Sequence, residues 1–167
     1  MNEKEVLSIL QHYRHDLANE LQVIQGYMSM GKTKEANDKI NQLFQHFQEE
    51  RKLMQLQAPK FALWVTRFNS IYDNVRLTYN IHIDRNLRSM DDLLVSRSMQ
   101  VIEKISKDPD HYCDIHLTIE TSKAHQEKTL LQWFVSGDTE YIEKMNMTFD
   151  FDVQIKRTDG LLLSFLV

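Results

Sequence analysis

The chain has 167 residues, 42% of them apolar and 26% charged, with a formal net charge of −4; this is the balance of an ordinary globular protein of one or two small domains. The acidic balance argues against a nucleic-acid surface, no run approaches the ~20 apolar residues of a membrane span, and the Met-Asn-Glu-Lys-Glu start lacks a signal peptide's basic and apolar regions. Four glycines leave no room for a G-x-G-x-x-G dinucleotide loop, and the single Cys113 excludes an internal disulfide, as expected of a cytoplasmic protein.

Residues 3 to about 29 read as one long helix. Leu7, Leu10, Leu17, Leu21, Ile24 and Met28 recur at spacings of three and four, which makes an a/d seam suited to a helical bundle. Arg14 is the polar member of that seam. At 1.5 Å per residue the helix is about 40 Å long. Ser29-Met30-Gly31-Lys32-Thr33 interrupts the pattern: Gly31 suits a left-handed helix end, and Thr33 can cap the next helix. That second helix spans about 34–57, with a seam of Ile40, Leu43, Phe47 and Met54 widened by Phe44 and Leu53. Two long helices with a short turn form an antiparallel hairpin. Alone it buries little, so pairing with a second copy into a four-helix bundle dimer is expected.

Ala58-Pro59 marks a boundary, because proline disfavours helix in the residue before it. The domains are therefore 1–57, a helical hairpin, and 58–167, an α/β sandwich. In the second, 61–75 reads as a helix, 76–84 as a strand and 90–106 as a helix. Residues 111–120 and 127–136 alternate like strands, and Asp138 can cap a short helix through Met145. Strands near 147–156 and 160–167 follow. The order α-β-α-β-β-α-β-β gives an α+β fold with helices on one face of a mixed sheet. Trp64 and Trp133 are expected in its core.

The segment with chemical content is His12-Tyr-Arg-His-Asp-Leu-Ala-Asn-Glu20. Arg14, His15, Asp16 and Asn19 form a polar patch in an otherwise regular helix, with Asn19 one turn from His15 on the same face. Such a patch suits phosphoryl transfer. A neutral imidazole is a nucleophile: one nitrogen attacks phosphorus while the other carries a proton and needs an acceptor. Asp16 can govern that proton, Asn19 can bond a phosphoryl oxygen or a water, and Arg14 can offset charge on the transferred group. These residue types also occur together on ordinary exposed helices, and spacing alone leaves both readings open.

The run Arg14-His-Asp-Leu-Ala-Asn-Glu-Leu-Gln-Val-Ile-Gln-Gly26 resembles the phosphoacceptor helix of the two-component family. Within it the likeness is to the sporulation initiation phosphotransferase family of the bacillus phosphorelay, and citrate- and fumarate-type sensor kinases share much of the run. The order of a helical hairpin and then a domain like a degenerate histidine-kinase ATPase domain is similar too. The resemblance covers nearly the whole chain in order, but only the run is specific. It implies that His15 takes a phosphoryl group from one response regulator's aspartate and passes it to another's, in a dimeric bundle that docks the regulators. Leu17, Ala18 and Gln22, on the same stretch, are then candidate regulator contacts. No cofactor of this chain is implied; Mg²⁺ is expected at the regulator's own acidic site. Histidine kinases bind ATP through an Asn-bearing helix and a D-x-G-x-G segment. Residues 90–106 contain no Asn, and Gly137 and Gly160 stand alone, so a phosphotransferase is expected and not an ATP-dependent kinase.

Other signals compete. Gly26-Tyr-Met-Ser-Met-Gly31-Lys32-Thr33 matches the G-x-x-x-x-G-K-[ST] phosphate loop, which needs a strand before it and a helix after it. The preceding helical seam favours a helix end, with nucleotide binding through Lys32 as the lesser reading. His111, Cys113 and His116 raise the question of a metal. On a strand His116 faces away from the other two, which favours a packed Cys and half-exposed His. His12 and His15, three apart on a helix, lack further nearby ligands. Lys32, Lys34, Lys39 and Lys52 read as solvated helix charges. A dimeric interaction module without phosphorylation of His15 is the principal alternative.

Overall fold

The computed structural model describes residues 3–124, 127–144 and 147–167. The chain divides into two compact units, the first ending at Glu50 and the second comprising Arg51–Val167.

The first unit is the helical hairpin. Helix α1 spans Glu3–Ser29 and helix α2 spans Thr33–Gln55, running on into the second unit. Their turn has a local cause. Gly31 adopts a left-handed φ of 72°. Its N–H donates to the Met28 carbonyl at 3.0 Å, and the Lys32 N–H donates to Tyr27 at 2.9 Å. This pair of bonds is a Schellman closure of α1. The Lys32 carbonyl accepts the Ala36 N–H, so Thr33 is the first helical residue and not the cap. The N–H groups at 30, 31 and 32 are thus spent on helix carbonyls. A helix, not a strand, precedes Gly26, and the segment builds no phosphate cradle.

Two side-chain links join the helices. The Tyr13 hydroxyl donates to Glu50 Oε2 at 3.0 Å, and Lys39 Nζ meets Glu20 Oε2 at 2.7 Å. They define the face of α1 that meets α2. Much of the apolar seam is left exposed, although Leu17 and Ile24 are half-buried. No residue of α1 is buried, and Leu7, Leu10, Leu21, Met28 and, on α2, Phe44 are each more than half exposed.

The second unit is α+β. Helix α3 (Pro59–Ile71) leads to strand β1 (Val75–His82). A 3₁₀ turn at Arg88–Met90 runs into helix α4 (Asp91–Ile105). Strands β2 (Cys113–Thr121) and β3 (Thr129–Gly137), helix α5 (Thr139–Lys144) and strands β4 (Gln154–Arg157) and β5 (Leu161–Leu166) follow. The sheet order is β1-β2-β3-β5-β4. Among the described strands only β1 and β2 pair in parallel, and the connection between them contains α4, since parallel neighbours need a crossover. Alternate residues of β2, β3 and β5 are buried. This inner face, with Trp133 fully buried, joins Phe61, Phe68, Leu94, Ile102 and Ile105 of α3 and α4 in one core. Trp64 is half-buried and meets Trp133 edge-on at 6.2 Å.

Helix α3 starts at Pro59, and Ala58 provides no side-chain cap. The buried Asp91 supplies it from another element: Oδ2 accepts the Lys60 N–H at 3.0 Å and Oδ1 the Phe61 N–H at 2.8 Å. At the β4–β5 turn a Cβ on Gly160 would lie 2.4 Å from the Val135 carbonyl oxygen, so only glycine fits there.

Several boundaries move. Helix α3 ends at Ile71, four residues before the expected 75, and β1 runs to His82 instead of 84. Asp138 does cap α5, its Oδ1 accepting the Glu140 and Tyr141 N–H groups; the expected end at Met145 lies outside the described residues. The strand expected at 147–156 is only Gln154–Arg157. Met147, Phe149, Phe151 and Val153 alternate like a strand but pack on the core without joining the ladder.

Candidate phosphoacceptor site

Helix α1 carries His15 near its middle, where the backbone bonds are complete and the ring stands clear of the helix. Successive residues turn by about 100°, so His15, Asp16 and Asn19 fall within an arc of about 100°, with His12 inside it. The side chains of His15 and Asp16 are 72% and 75% exposed. Asp16 Oδ1 lies 3.4 Å from His15 Nδ1. Asn19 Nδ2 lies 3.2 Å from the same nitrogen. Both neighbours lie at Nδ1, which leaves Nε2 as the ring nitrogen available for attack.

The other expected contacts separate by face. Arg14 is exposed and sits about 100° from His15, on the flank of the apolar seam. Ala18 and Gln22 are exposed and within about 60° of His15. Leu17 is half-buried in the seam, about 160° away, so one protein surface cannot cover His15 and Leu17 together without wrapping the helix.

Two features escaped the sequence reading. His12 Nδ1 donates to the Ser8 carbonyl at 2.8 Å. A carbonyl only accepts, so this bond fixes the tautomer of His12; the i, i+4 spacing of Ser8 and His12 was the available signal. The second is the Tyr13–Glu50 link beside the site. Burial pushes the Tyr13 phenol above its ordinary value, and its bond to the Glu50 carboxylate adds to the rise. With Glu20–Lys39 on the other side, it holds this stretch of α1 in register with α2.

Cys113 is buried and His111 and His116 are half-buried, as expected; only the start of the strand differs. Strand β2 begins at Cys113, so His111 precedes it. His111 Nδ1 meets Asp138 Oδ2 at 3.0 Å, and its ring stacks on Tyr141 at 4.2 Å. His116 Nδ1 is 2.9 Å from the Thr78 hydroxyl. Burial raises the Cys113 thiol above its ordinary pKa, with Asp114 and Asp138 adding to it. Among the described residues no group of three His, Cys, Asp or Glu is arranged around a common point for a metal. A groove of about 830 Å³ lies between α4 and the segment after α5. Its Lys104 sits over Phe149, and its Lys144 pairs with Glu140.

Residues 1–56 match the family model of the alpha-helical domain of SpoOB-type sensor kinases. The chain resembles this family. It is 25% identical over 128 residues to sporulation initiation phosphotransferase B of Bacillus subtilis (strain 168), spanning 76% of this chain and 67% of that protein. Among solved structures it is similar to the catalytic domain of the histidine kinase ThkA, with a TM-score of 0.41 and 15% identity over 70% of this chain and 91% of that one. No described helix is long and apolar enough to cross a membrane.

Proposed function

We propose that this protein is a histidine phosphotransferase of a phosphorelay, in which His15 carries a phosphoryl group between the aspartates of response-regulator receiver domains. The observation that carries the proposal is the arrangement at His15: an exposed imidazole with Asp16 and Asn19 both at its Nδ1, which leaves Nε2 for the reaction. The likeness of residues 1–56 to the SpoOB-type helical domain supports it, as does the relative named a phosphotransferase.

In the reaction Nε2 attacks the phosphorus of a regulator's acyl phosphate. Asp16 stabilises the charge that develops on the ring, and Arg14 is close enough in sequence to offset charge on the phosphoryl oxygens. Ala18 and Gln22 contact the docked regulator, which supplies its own Mg²⁺. The uncovered α1–α2 seam pairs with a second copy in a four-helix bundle. Burying the exposed half of each of the side chains of Leu7, Leu10, Leu21, Met28 and Phe44 contributes about 1 kcal/mol, and the ten of a dimer together work against the cost of association. Helix α4 has no Asn and no D-x-G-x-G follows it, which supports acceptance of phosphate from a regulator and not from ATP. The protein works in the cytoplasm, where the regulators are.

The test is incubation with a radiolabelled, phosphorylated response regulator. Label is expected on the wild type and not on His15→Ala, with the wild type discharging to a second regulator. Equal labelling of both would refute the assignment. Binding to regulators without label on either would establish the interaction module instead.

A further inference from the structure

His15 Nδ1 faces two groups with opposite requirements. Asp16 Oδ1, at 3.4 Å, only accepts a hydrogen bond; Asn19 Nδ2, at 3.2 Å, only donates. In a neutral imidazole Nδ1 is either N–H or a lone pair, so it cannot serve both at once. When Asn19 donates, Nδ1 holds the lone pair and the ring proton sits on Nε2, where it blocks attack. A half-turn of the Asn19 amide brings Oδ1 to the same place. Asp16 and Asn19 then both accept from Nδ1–H, and Nε2 presents its lone pair. An amide is unusual in offering a donor and an acceptor at one position, and exposed side chains reorient in picoseconds to nanoseconds. His12 is the internal contrast: its partner is a carbonyl, and its tautomer has no such freedom.

We propose that Asn19 is a positioning residue whose amide orientation selects the reactive nitrogen of His15 and sets whether phospho-His15 is held or passed on, an inference that rests on the phosphotransfer reading above. With the amide oxygen towards Nδ1–H, the Nε2 lone pair forms the N–P bond. The P–O bond to the regulator's carboxylate breaks, and its electron pair leaves with that carboxylate. The ring is now cationic, its Nδ1–H held by Asp16 and Asn19. Loss of that proton to water gives a neutral phosphoimidazole with a lone pair on Nδ1, and the amide turns to donate to it. This neutral form is the poorer leaving group and therefore the stored one. For onward transfer Nδ1 takes a proton back from water and the amide returns. The acceptor carboxylate then attacks phosphorus, and the N–P electron pair returns to Nε2.

The test uses the full chain labelled with ¹⁵N in histidine, in alkaline buffer where imidazoles are neutral. Asn19→Ala removes the donor and leaves Asp16, so the His15 Nδ1 resonance should move towards the protonated, pyrrole-type position. Asp16→Ala should move it the opposite way, and His12 should not move in either variant. Shifts of the same sign in both variants, or none, would overturn the proposal, because a merely structural role predicts no opposed pair. A second arm phosphorylates His15 with phosphoramidate, a small donor that needs no regulator. A net hydrogen bond of ordinary strength predicts that phospho-His15 decays about two- to twelvefold faster in Asn19→Ala; an unchanged half-life, or no phospho-His15 from this donor, would overturn the storage role. Opposed shifts together with failure of regulator-dependent labelling would instead refute the phosphotransfer reading and leave the tautomer control standing.

Discussion

Asp91→Ala should be the most damaging single polar substitution among the described residues of the second unit. The Asp91 carboxylate is 7% exposed and accepts the N–H groups of Lys60 and Phe61. Those two donors belong to the first turn of α3, which has no intrahelical partner for them, and Ala58 gives no alternative cap. Truncation leaves one buried and one part-buried donor unsatisfied. Each such donor costs about 1–3 kcal/mol, and loss of a capping side chain is typically worth about 1 kcal/mol. The expected loss is about 2–4 kcal/mol. Both tryptophans, Trp64 and Trp133, lie in this unit, so urea unfolding followed by tryptophan fluorescence reports it directly. The midpoint should fall with the slope unchanged. Asp92→Ala is the control: its pair with Lys60 at 2.6 Å is exposed to solvent, and such surface pairs contribute little to stability. If Asp91→Ala costs no more than Asp92→Ala, the capping argument is wrong.

The remaining predictions concern the hairpin and the sheet end. Leu21→Glu places a charge on the uncovered seam of α1, where Leu21 is 51% exposed; light scattering should show the dimer mass for the wild type and 19.9 kDa for the variant, and a dimer that persists would reject this seam as the interface. Gly31→Ala forces a Cβ residue to φ 72° and should cost about 1 kcal/mol, read as a lower thermal midpoint by circular dichroism; Gly26→Ala, which meets nothing within 4 Å and lies inside α1, should be neutral or stabilising. The Asp138 carboxyl is held below its ordinary pKa, first by the Tyr141 N–H, then by His111. A depressed carboxyl stabilises the fold above its unfolded pKa of about 4, and that contribution is lost as pH falls through the folded value. Asp138→Asn should therefore flatten the acid limb of a stability-against-pH curve, and an unchanged limb would show that the network contributes nothing.

The features legible in the residue pattern are all short in range. The spacing of Leu7, Leu10, Leu17, Leu21, Ile24 and Met28 specifies a helix, because helical periodicity repeats within one turn. Gly31 ends it for a reason contained in one residue's φ, and Asp138 starts α5 from one residue's side chain. The run from Arg14 to Gly26 put His15, Asp16 and Asn19 on one face for the same reason, since a helix converts spacing into position without help from the rest of the chain. The ladder was decided elsewhere. Met147, Phe149, Phe151 and Val153 alternate as a strand does, yet alternation records only which side is buried, and these residues bury theirs without a hydrogen-bonded neighbour. Asp91 stands in the first turn of its own helix, α4, yet it caps α3, 30 residues earlier in the chain. His111 finds Asp138, 27 residues later. Such contacts depend on where the chain returns, and no local pattern encodes that. The same holds at His15. Its neighbours were readable from spacing, but that two of them compete for one nitrogen emerged only from the side-chain geometry.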